Sequence, residues 1–288
     1  MRELVRLFLD SAKGFEKDDG YAMASHIALS SLTAIFPFLI FVTSLAGFLG
    51  AQPLADEAAS AFFEIWPPRV AEPILNEIHN VMSGRHGGLL TLSAALAAYF
   101  SSSGVEALRT GLNRAYGARE TRPWWRLRLQ SIAYVLIGAL ALLSLAFLLV
   151  LGPIVWSAML AYAPALGPLS KMVTLGRYGV ATVILLAALI IAHRVLPNEK
   201  LSLRETAPGI GLTYAAWMVF ALAFSSYLGR FALNYVSTYA GLASVMIAIV
   251  FLYSLAAIFI FGGEFNAALR RRRDPAGPRA ATKPIADA

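Results

Sequence analysis

Cysteine is absent from the 288-residue sequence, and histidine occurs only four times. The chain can therefore form neither a disulfide framework nor a thiolate metal site. It also lacks the GxxxxGKS/T phosphate loop, the HExxH zinc motif and the GxSxG nucleophile turn. Its acidic residues are dispersed, whereas a metal-dependent nuclease needs clustered carboxylates. We therefore expect no catalytic residues, no metal, no cofactor and no ATPase on this chain.

Charged residues are also few, at 14 % of the chain, whereas hydrophobic residues make up 58 %. This composition is typical of a membrane domain. A spanning helix needs about 20 apolar residues to cross the hydrocarbon layer. Six long apolar runs come close to that length or exceed it: 27–50, 89–105, 132–156, 175–196, 210–228 and 242–261. The sequence predicts an all-α, polytopic membrane bundle of six transmembrane helices.

The segments outside these runs predict three further features. The apolar residues of segment 1–20 recur at helical spacing, which predicts an amphipathic cytoplasmic helix at the membrane surface: Leu4, Phe8, Ala12 and Phe15. The membrane domain is expected to cover 21–270, with amphipathic helices in its outer loop 51–87. The tail 271–288 is basic and rich in proline and alanine, so we expect it to be disordered.

Basic residues are distributed unevenly among the segments that connect the apolar runs. Nineteen of the 24 Lys and Arg residues fall on the side that holds both ends of the chain. Because basic residues accumulate on the cytoplasmic side of a membrane, both termini are expected in the cytoplasm. The first run begins only at Ile27 and no signal-peptide cleavage site follows it, so we expect this run to remain as a transmembrane helix.

Polar side chains in the first run form a stripe, because His26, Ser30 and Thr33 recur at helical spacing. Pro37 follows them and is expected to kink or break the helix. The stripe fits either the wall of a cavity or hydroxyl groups that bond back to carbonyls of their own helix.

Ionisable groups also occur at the ends of two runs. Because a carboxylate is costly in hydrocarbon, Glu106, beside Arg109, and Glu264, beside Asn266, are candidates for a cavity or a gate. The alternative for Glu264 is an interfacial carboxylate paired with Arg270 or with another arginine outside the runs. The arginines between the second and third runs are candidates for binding anionic lipid headgroups: Arg114, Arg119, Arg122, Arg126 and Arg128.

Four stretches of the sequence resemble the YihY / virulence factor BrkB family of bacterial inner-membrane proteins, formerly named ribonuclease BN. They are SSLTAIFPFLIF, GLNRAYGARETRPWWRLR, VLPNEKLSLRETAPG and YLGRFALNYVSTYAGLASVMIAIVFLYSLAAIFIFGGEFNA. The resemblance implies a six-helix, multi-pass protein of the bacterial inner membrane. The positions that match the family's motif residues are Pro37, Asn113, Tyr116, Glu120, Arg122, Pro197, Asn198, Pro208, Gly209, Tyr239, Gly241, Glu264 and Asn266. Asn198 thereby joins the cavity candidates. The chain departs from the family at Ala240, which separates a tyrosine and a glycine that are usually adjacent.

The resemblance implies transport, of lipids or of envelope precursors. The leading hypothesis is therefore a transporter or translocase without its own ATPase, which binds membrane lipids and no nucleic acid and could form a homo-oligomer. One alternative is a non-transporting scaffold that binds an envelope protein through the loop 51–87. A ribonuclease is the remote alternative.

Overall fold

The computed structural model describes residues 2–48, 87–239 and 243–273. This part of the chain contains no strand, which confirms the predicted all-α class for these residues. The α-helices follow in order as α1 Arg2–Lys17, α2 Gly20–Phe48, α3 Gly87–Tyr116, α4 Trp124–Ala146, α5 Gly152–Tyr162, α6 Ser170–Val195, α7 Leu203–Tyr239 and α8 Ala243–Arg273. A π-helical turn, Phe147–Leu151, joins α4 to α5, and a 3-10 helix, Pro164–Leu169, precedes α6.

Three helical segments in the described part of the chain are long and apolar enough to cross a membrane: Pro164–Val195, Leu203–Gly229 and Val245–Arg273. They contain the fifth predicted run and most of the fourth and the sixth. The full set of six spans is not confirmed. The first run ends among residues outside the described part, the second is short and carries three serines, and the third crosses the π-helical turn.

Several predicted boundaries can be compared with these helices. The segment 1–20 contains α1, and α8 continues through the four arginines to Arg273, beyond the expected end of the membrane domain. Helix α2 runs on past position 37, so the helix is not broken there, although the side chain of Pro37 lies outside the described side chains. The outer-loop residues 51–86 and the tail residues 274–288 lie outside the described part.

The chain forms two compact units. Unit 1 comprises residues 1–18, 109–214 and 260–288, and unit 2 comprises residues 19–108 and 215–259. Aromatic side chains pack α7 against α8 within unit 2, where the Phe251 ring centroid lies 5.9 Å from Phe220 and 5.4 Å from Phe224. Such rings bury large apolar areas and fix the helix pair. The buried polar residues described next belong to unit 1.

The end of α3 is fixed by a glycine turn that positions part of this polar region. Gly117 has a φ of 67°, in the left-handed region that glycine adopts at little cost. The N–H of Ala118 donates to the carbonyl oxygen of Asn113 at 2.8 Å, which is the long-range hydrogen bond of a Schellman cap. The chain therefore turns back sharply, and the residues that follow α3 face its last turn.

Candidate functional site

A network centred on Glu120 lies directly after this turn. The guanidinium of Arg122 donates two hydrogen bonds to the Glu120 carboxylate, both at 2.8 Å, in the paired geometry that gives the strongest ion pairs. Asn113 donates a third bond to Glu120 at 3.1 Å, and Arg109 Nε lies 3.6 Å from the same carboxylate. Arg109 is itself buried and donates to the Ser131 hydroxyl of α4. The network therefore joins α3, the turn after it and α4.

The electrostatics of this network follow from its hydrogen bonds. The bonds from Arg122 favour the charged carboxylate and lower the pKa of Glu120 from 4.5 to about 2. The same interaction raises the pKa of Arg122 above its ordinary value. Glu120 therefore stays ionised across the physiological pH range and cannot exchange protons there, so its part in the site is to hold Arg122, Arg109 and Asn113 in place.

Asn198 ties the turn after α3 to the turn after α6. Its backbone N–H donates to Asn113 Oδ1 at 2.7 Å, and its side-chain amide donates to the Arg119 carbonyl oxygen at 2.7 Å and to the Thr121 hydroxyl at 3.0 Å. Arg122 adds a bond to the carbonyl oxygen of Leu196 at 3.0 Å. Two segments almost 80 residues apart are thereby held as one surface within unit 1.

Asn266 forms a second junction, where α3, α7 and α8 meet. Its amide nitrogen donates to the Tyr116 hydroxyl at 3.2 Å and to the Thr206 carbonyl oxygen at 3.0 Å, and its amide oxygen accepts from the Gly209 N–H at 2.6 Å. The side chain is 1 % exposed. A Cβ at Gly209 would collide with the carbonyl oxygen of Gly262, so α7 and α8 approach closely because both positions are glycines.

Glu264 is fully buried in α8, half a turn before Asn266. Its carboxylate lies against Gly14 of α1, where any Cβ would collide with Oε2. The Arg271 guanidinium reaches the same point, with Nη2 3.5 Å from the position of that Cβ. Arg270, by contrast, bonds to Glu199 at 2.6 Å and lies 3.7 Å from Glu205. The acidic partners of Arg270 are therefore Glu199 and Glu205, and Arg271 is the arginine that lies close to Glu264.

A cavity of about 170 Å³ opens beside this junction. It is lined by Glu205, Asn266, Leu269, Arg270 and Arg273. Glu205 also caps the start of α7, because its carboxylate accepts from the Ser202 N–H at 2.8 Å. In the described part of the chain, no three His, Asp or Glu side chains lie together as a metal site would need.

The predicted candidates fall in both units of the chain. Arg109, Asn198, Glu264 and Asn266 belong to unit 1, whereas His26, Ser30, Thr33 and Glu106 belong to unit 2. His26 is exposed, and Thr33 donates back to the Leu29 carbonyl oxygen at 2.8 Å, as the alternative for the stripe describes. Ser30 is half-buried and lies close to Gly104 of α3. A Cβ added to Gly104 would be 3.7 Å from the Cβ of Ser30.

The headgroup candidates also differ in their surroundings. Arg122 is held by Glu120, and Arg128 is half-buried. The other three are exposed: Arg114, Arg119 and Arg126. The guanidinium carbon of Arg126 lies 5.5 Å from the centroid of the Trp125 ring, so the two side chains present one cationic and aromatic surface.

The chain is similar to known proteins over most of its length. The family profile described as Virulence factor BrkB matches residues 11–286. The chain belongs to this family. YfkH of Bacillus subtilis (strain 168), which is named as a ribonuclease-like protein, is 29 % identical over 256 residues, or 88 % of this chain and 92 % of YfkH. A UPF0761 membrane protein of Rhodospirillum centenum is 25 % identical over 262 residues, or 88 % of this chain and 55 % of that protein. No solved structure matches the chain.

Most of the positions that carried the resemblance to the BrkB family meet in unit 1. Hydrogen bonds join seven of them: Asn113, Tyr116, Glu120, Arg122, Asn198, Gly209 and Asn266. No pattern in the sequence indicated the roles of Ser131, Thr206 and Gly14, because each contacts a residue that is far away along the chain. Tyr239 has no described side chain, and Gly241 lies outside the described residues.

Proposed function

We propose that this BrkB family protein is a membrane transporter, or a translocase of lipids or envelope precursors, that works without an ATPase of its own. The proposal includes six membrane spans, both termini in the cytoplasm and a location in the bacterial inner membrane. The charge distribution and the family membership support it, and the polar residues of unit 1 would lie at the cytoplasmic ends of the spans.

The burial of Glu264 carries the proposal. This carboxylate is fully buried in α8, in the most apolar of the three candidate spans. Ionisable groups in such segments are costly, and they commonly mark the path of a substrate or a proton. Exposed Arg114, Arg119 and Arg126 would attract anionic headgroups, each by about 1 kcal/mol near an anionic surface.

Lipid flux into liposomes tests the proposal. The purified full-length protein is reconstituted, and the transfer of labelled phospholipids with several headgroups is compared with that in empty vesicles. Transport predicts flux above the empty vesicles, and Glu264→Gln should reduce it. Glu16→Gln, an exposed carboxylate of α1, is the matched control and should retain the flux. Thermal unfolding of both variants separates a loss of transport from a loss of folding.

The opposite result would favour the scaffold. No flux for any headgroup from folded protein would contradict the proposal, particularly if crosslinking from the loop 51–87 captured an envelope protein in stoichiometric amounts. The ribonuclease-like name belongs to YfkH, and a cleavage assay on the purified chain with and without divalent metal tests whether that activity extends to it.

A further inference from the structure

Helix α1 has an inner face that packs on the last turns of α8. Leu7, Ser11 and Phe15 are buried on this face. The ring centroid of Phe8, at its edge, lies 5.3 Å from Phe265 of α8. At Gly14 the two helices are so close that α1 covers the Glu264 carboxylate. Because both segments belong to unit 1, α1 is part of the surroundings of Glu264.

Two acidic residues of α1 are bound to Arg272 of α8. Arg272 donates to Asp10 at 2.7 Å, and to both the carboxylate and the carbonyl oxygen of Glu3, at 3.1 Å and 3.2 Å. Glu3 also lies 3.4 Å from Arg6. Arg272 therefore compensates the negative charge on this side of α1.

The remaining surface of α1 has an apolar face next to a basic one. An α-helix has 3.6 residues per turn, which places each side chain at a known angle around the helix axis. Around α1, the buried face is followed by an exposed apolar face, which consists of Val5, Phe8, Leu9 and Ala12. A basic face comes next: Arg2, Lys13, Arg6 and Lys17. Val5 and Leu9 are each 55 % exposed. One acidic residue, Glu16, also lies on the apolar side of α1. It is in the last turn of the helix, close in sequence to Lys13 and Lys17.

The position of α1 against the end of α8 bears on what covers the exposed apolar face. Helix α8 belongs to a candidate membrane span that ends in four arginines. Arginines at the end of a span mark the membrane surface, and α1 packs on this same end. An apolar face flanked by Lys and Arg is the pattern by which helices lie in the interface of an anionic bilayer.

We propose that α1 docks on the anionic surface of the membrane, with Val5, Phe8 and Leu9 at the acyl boundary and the basic face among the lipid phosphates. Docked in this way, α1 is held between the bilayer and α8, and Gly14 stays packed against the Glu264 carboxylate. Anionic lipid then controls how tightly the carboxylate is covered. The proposal concerns the location of α1 and does not require that the protein transports anything.

The absence of cysteine allows a direct test with single labels on the full-length protein. An environment-sensitive fluorophore is attached at Leu9→Cys, and at the exposed Arg204→Cys of α7 as an aqueous reference. The protein is reconstituted in phosphatidylcholine vesicles with and without phosphatidylglycerol. In the anionic vesicles, the label at position 9 should be several-fold less quenched by aqueous iodide than the label at position 204. It should also be quenched by a quencher placed at shallow depth in the lipid.

The competing occupants give different results in the same assay. Equal iodide quenching at positions 9 and 204 in anionic vesicles would overturn the proposal. Protection that depends on the protein-to-lipid ratio, but not on phosphatidylglycerol or salt, would overturn it in favour of a second copy of the chain. Replacing the four basic residues together by glutamine should abolish the difference between the two lipid compositions.

A second experiment measures how tightly α1 packs on α8, through the accessibility of the buried position 11. Ser11→Cys should react slowly with a maleimide in anionic vesicles, and several-fold faster in phosphatidylcholine or in the four-glutamine variant. Gly14→Val, whose side chain would collide with Glu264, should give fast reaction in every lipid. A maleimide reaction rate at position 11 that is unchanged by lipid and by the four substitutions would show that docking does not hold the helix.

Discussion

The amide oxygen of Asn266 accepts a hydrogen bond from the backbone N–H of Gly209 at 2.6 Å. The same amide reaches α3 and the first turn of α7 through its nitrogen. One side chain thus satisfies polar groups on three helices, from a position that is 1 % exposed.

Asn266→Ala should destabilise the protein strongly. The substitution leaves the Gly209 N–H and the Thr206 carbonyl oxygen buried without this partner, and each such group costs about 1–3 kcal/mol. We expect a loss of at least about 3 kcal/mol in the free energy of unfolding, measured by thermal or denaturant unfolding in detergent. Ser226→Ala is the control, because this exposed hydroxyl bonds only to its own helix, and its melting temperature should hardly change. Equal effects of the two substitutions would contradict the role of the junction.

Gly209→Ala and Gly211→Ala form a matched pair two residues apart in α7. A Cβ at Gly209 meets the Gly262 backbone, which has to shift, whereas a Cβ at Gly211 meets nothing within 4 Å. Overpacking of this kind costs about 1–3 kcal/mol. The first variant should therefore melt at a clearly lower temperature, and the second at the same temperature or slightly higher. A larger loss at position 211 would show that α7 and α8 do not meet at Gly209.

Glu120→Gln should lower stability at neutral pH, and the difference should disappear in acid. The pKa of Glu120 is about 2 in the folded protein, against an ordinary value of 4.5. Because the folded state binds this proton less readily, the stabilisation is fully present above pH 4.5 and is lost as the pH falls towards 2. Melting temperatures of both proteins across this range test the expectation. Glu16→Gln, at an exposed position, serves as the control. A difference in melting temperature between Glu120→Gln and the unmodified protein that grows towards pH 2 would contradict the expectation.

Arg272→Gln should loosen α1 while leaving overall stability nearly intact. The ion pairs of Arg272 with Glu3 and Asp10 are partly exposed, and exposed pairs contribute about 0.2–1 kcal/mol each. If the packing of α1 on α8 is weakened by about 1 kcal/mol, the population in which α1 is detached rises roughly five-fold. The maleimide reaction of Ser11→Cys measures this opening. Arg273→Gln removes the same charge from the next position, and an equal increase there would indicate a general charge effect.

The partners of individual arginines could not be predicted from the sequence. Arg122 and Arg114 both looked like headgroup ligands, because they share a basic segment that follows an apolar run. In the structure Arg122 is bound to Glu120, whereas Arg114 is exposed. One alternative paired Glu264 with Arg270 or another nearby arginine, and Arg270, six residues away, lies on a different side of the helix. Arg271, seven residues from Glu264, lies on the same side and reaches Gly14 with it.

The sequence by itself determined the features that depend on neighbouring residues. The apolar runs, the amphipathic spacing of α1 and the family motifs are each contained in a continuous stretch, so composition and helical period are enough to read them. Only the tertiary structure decided which distant groups meet, such as Tyr116 with Asn266, which are 150 residues apart. The physical reason is that a helix fixes which face a side chain occupies, whereas its partner depends on how the turns bring another helix against that face.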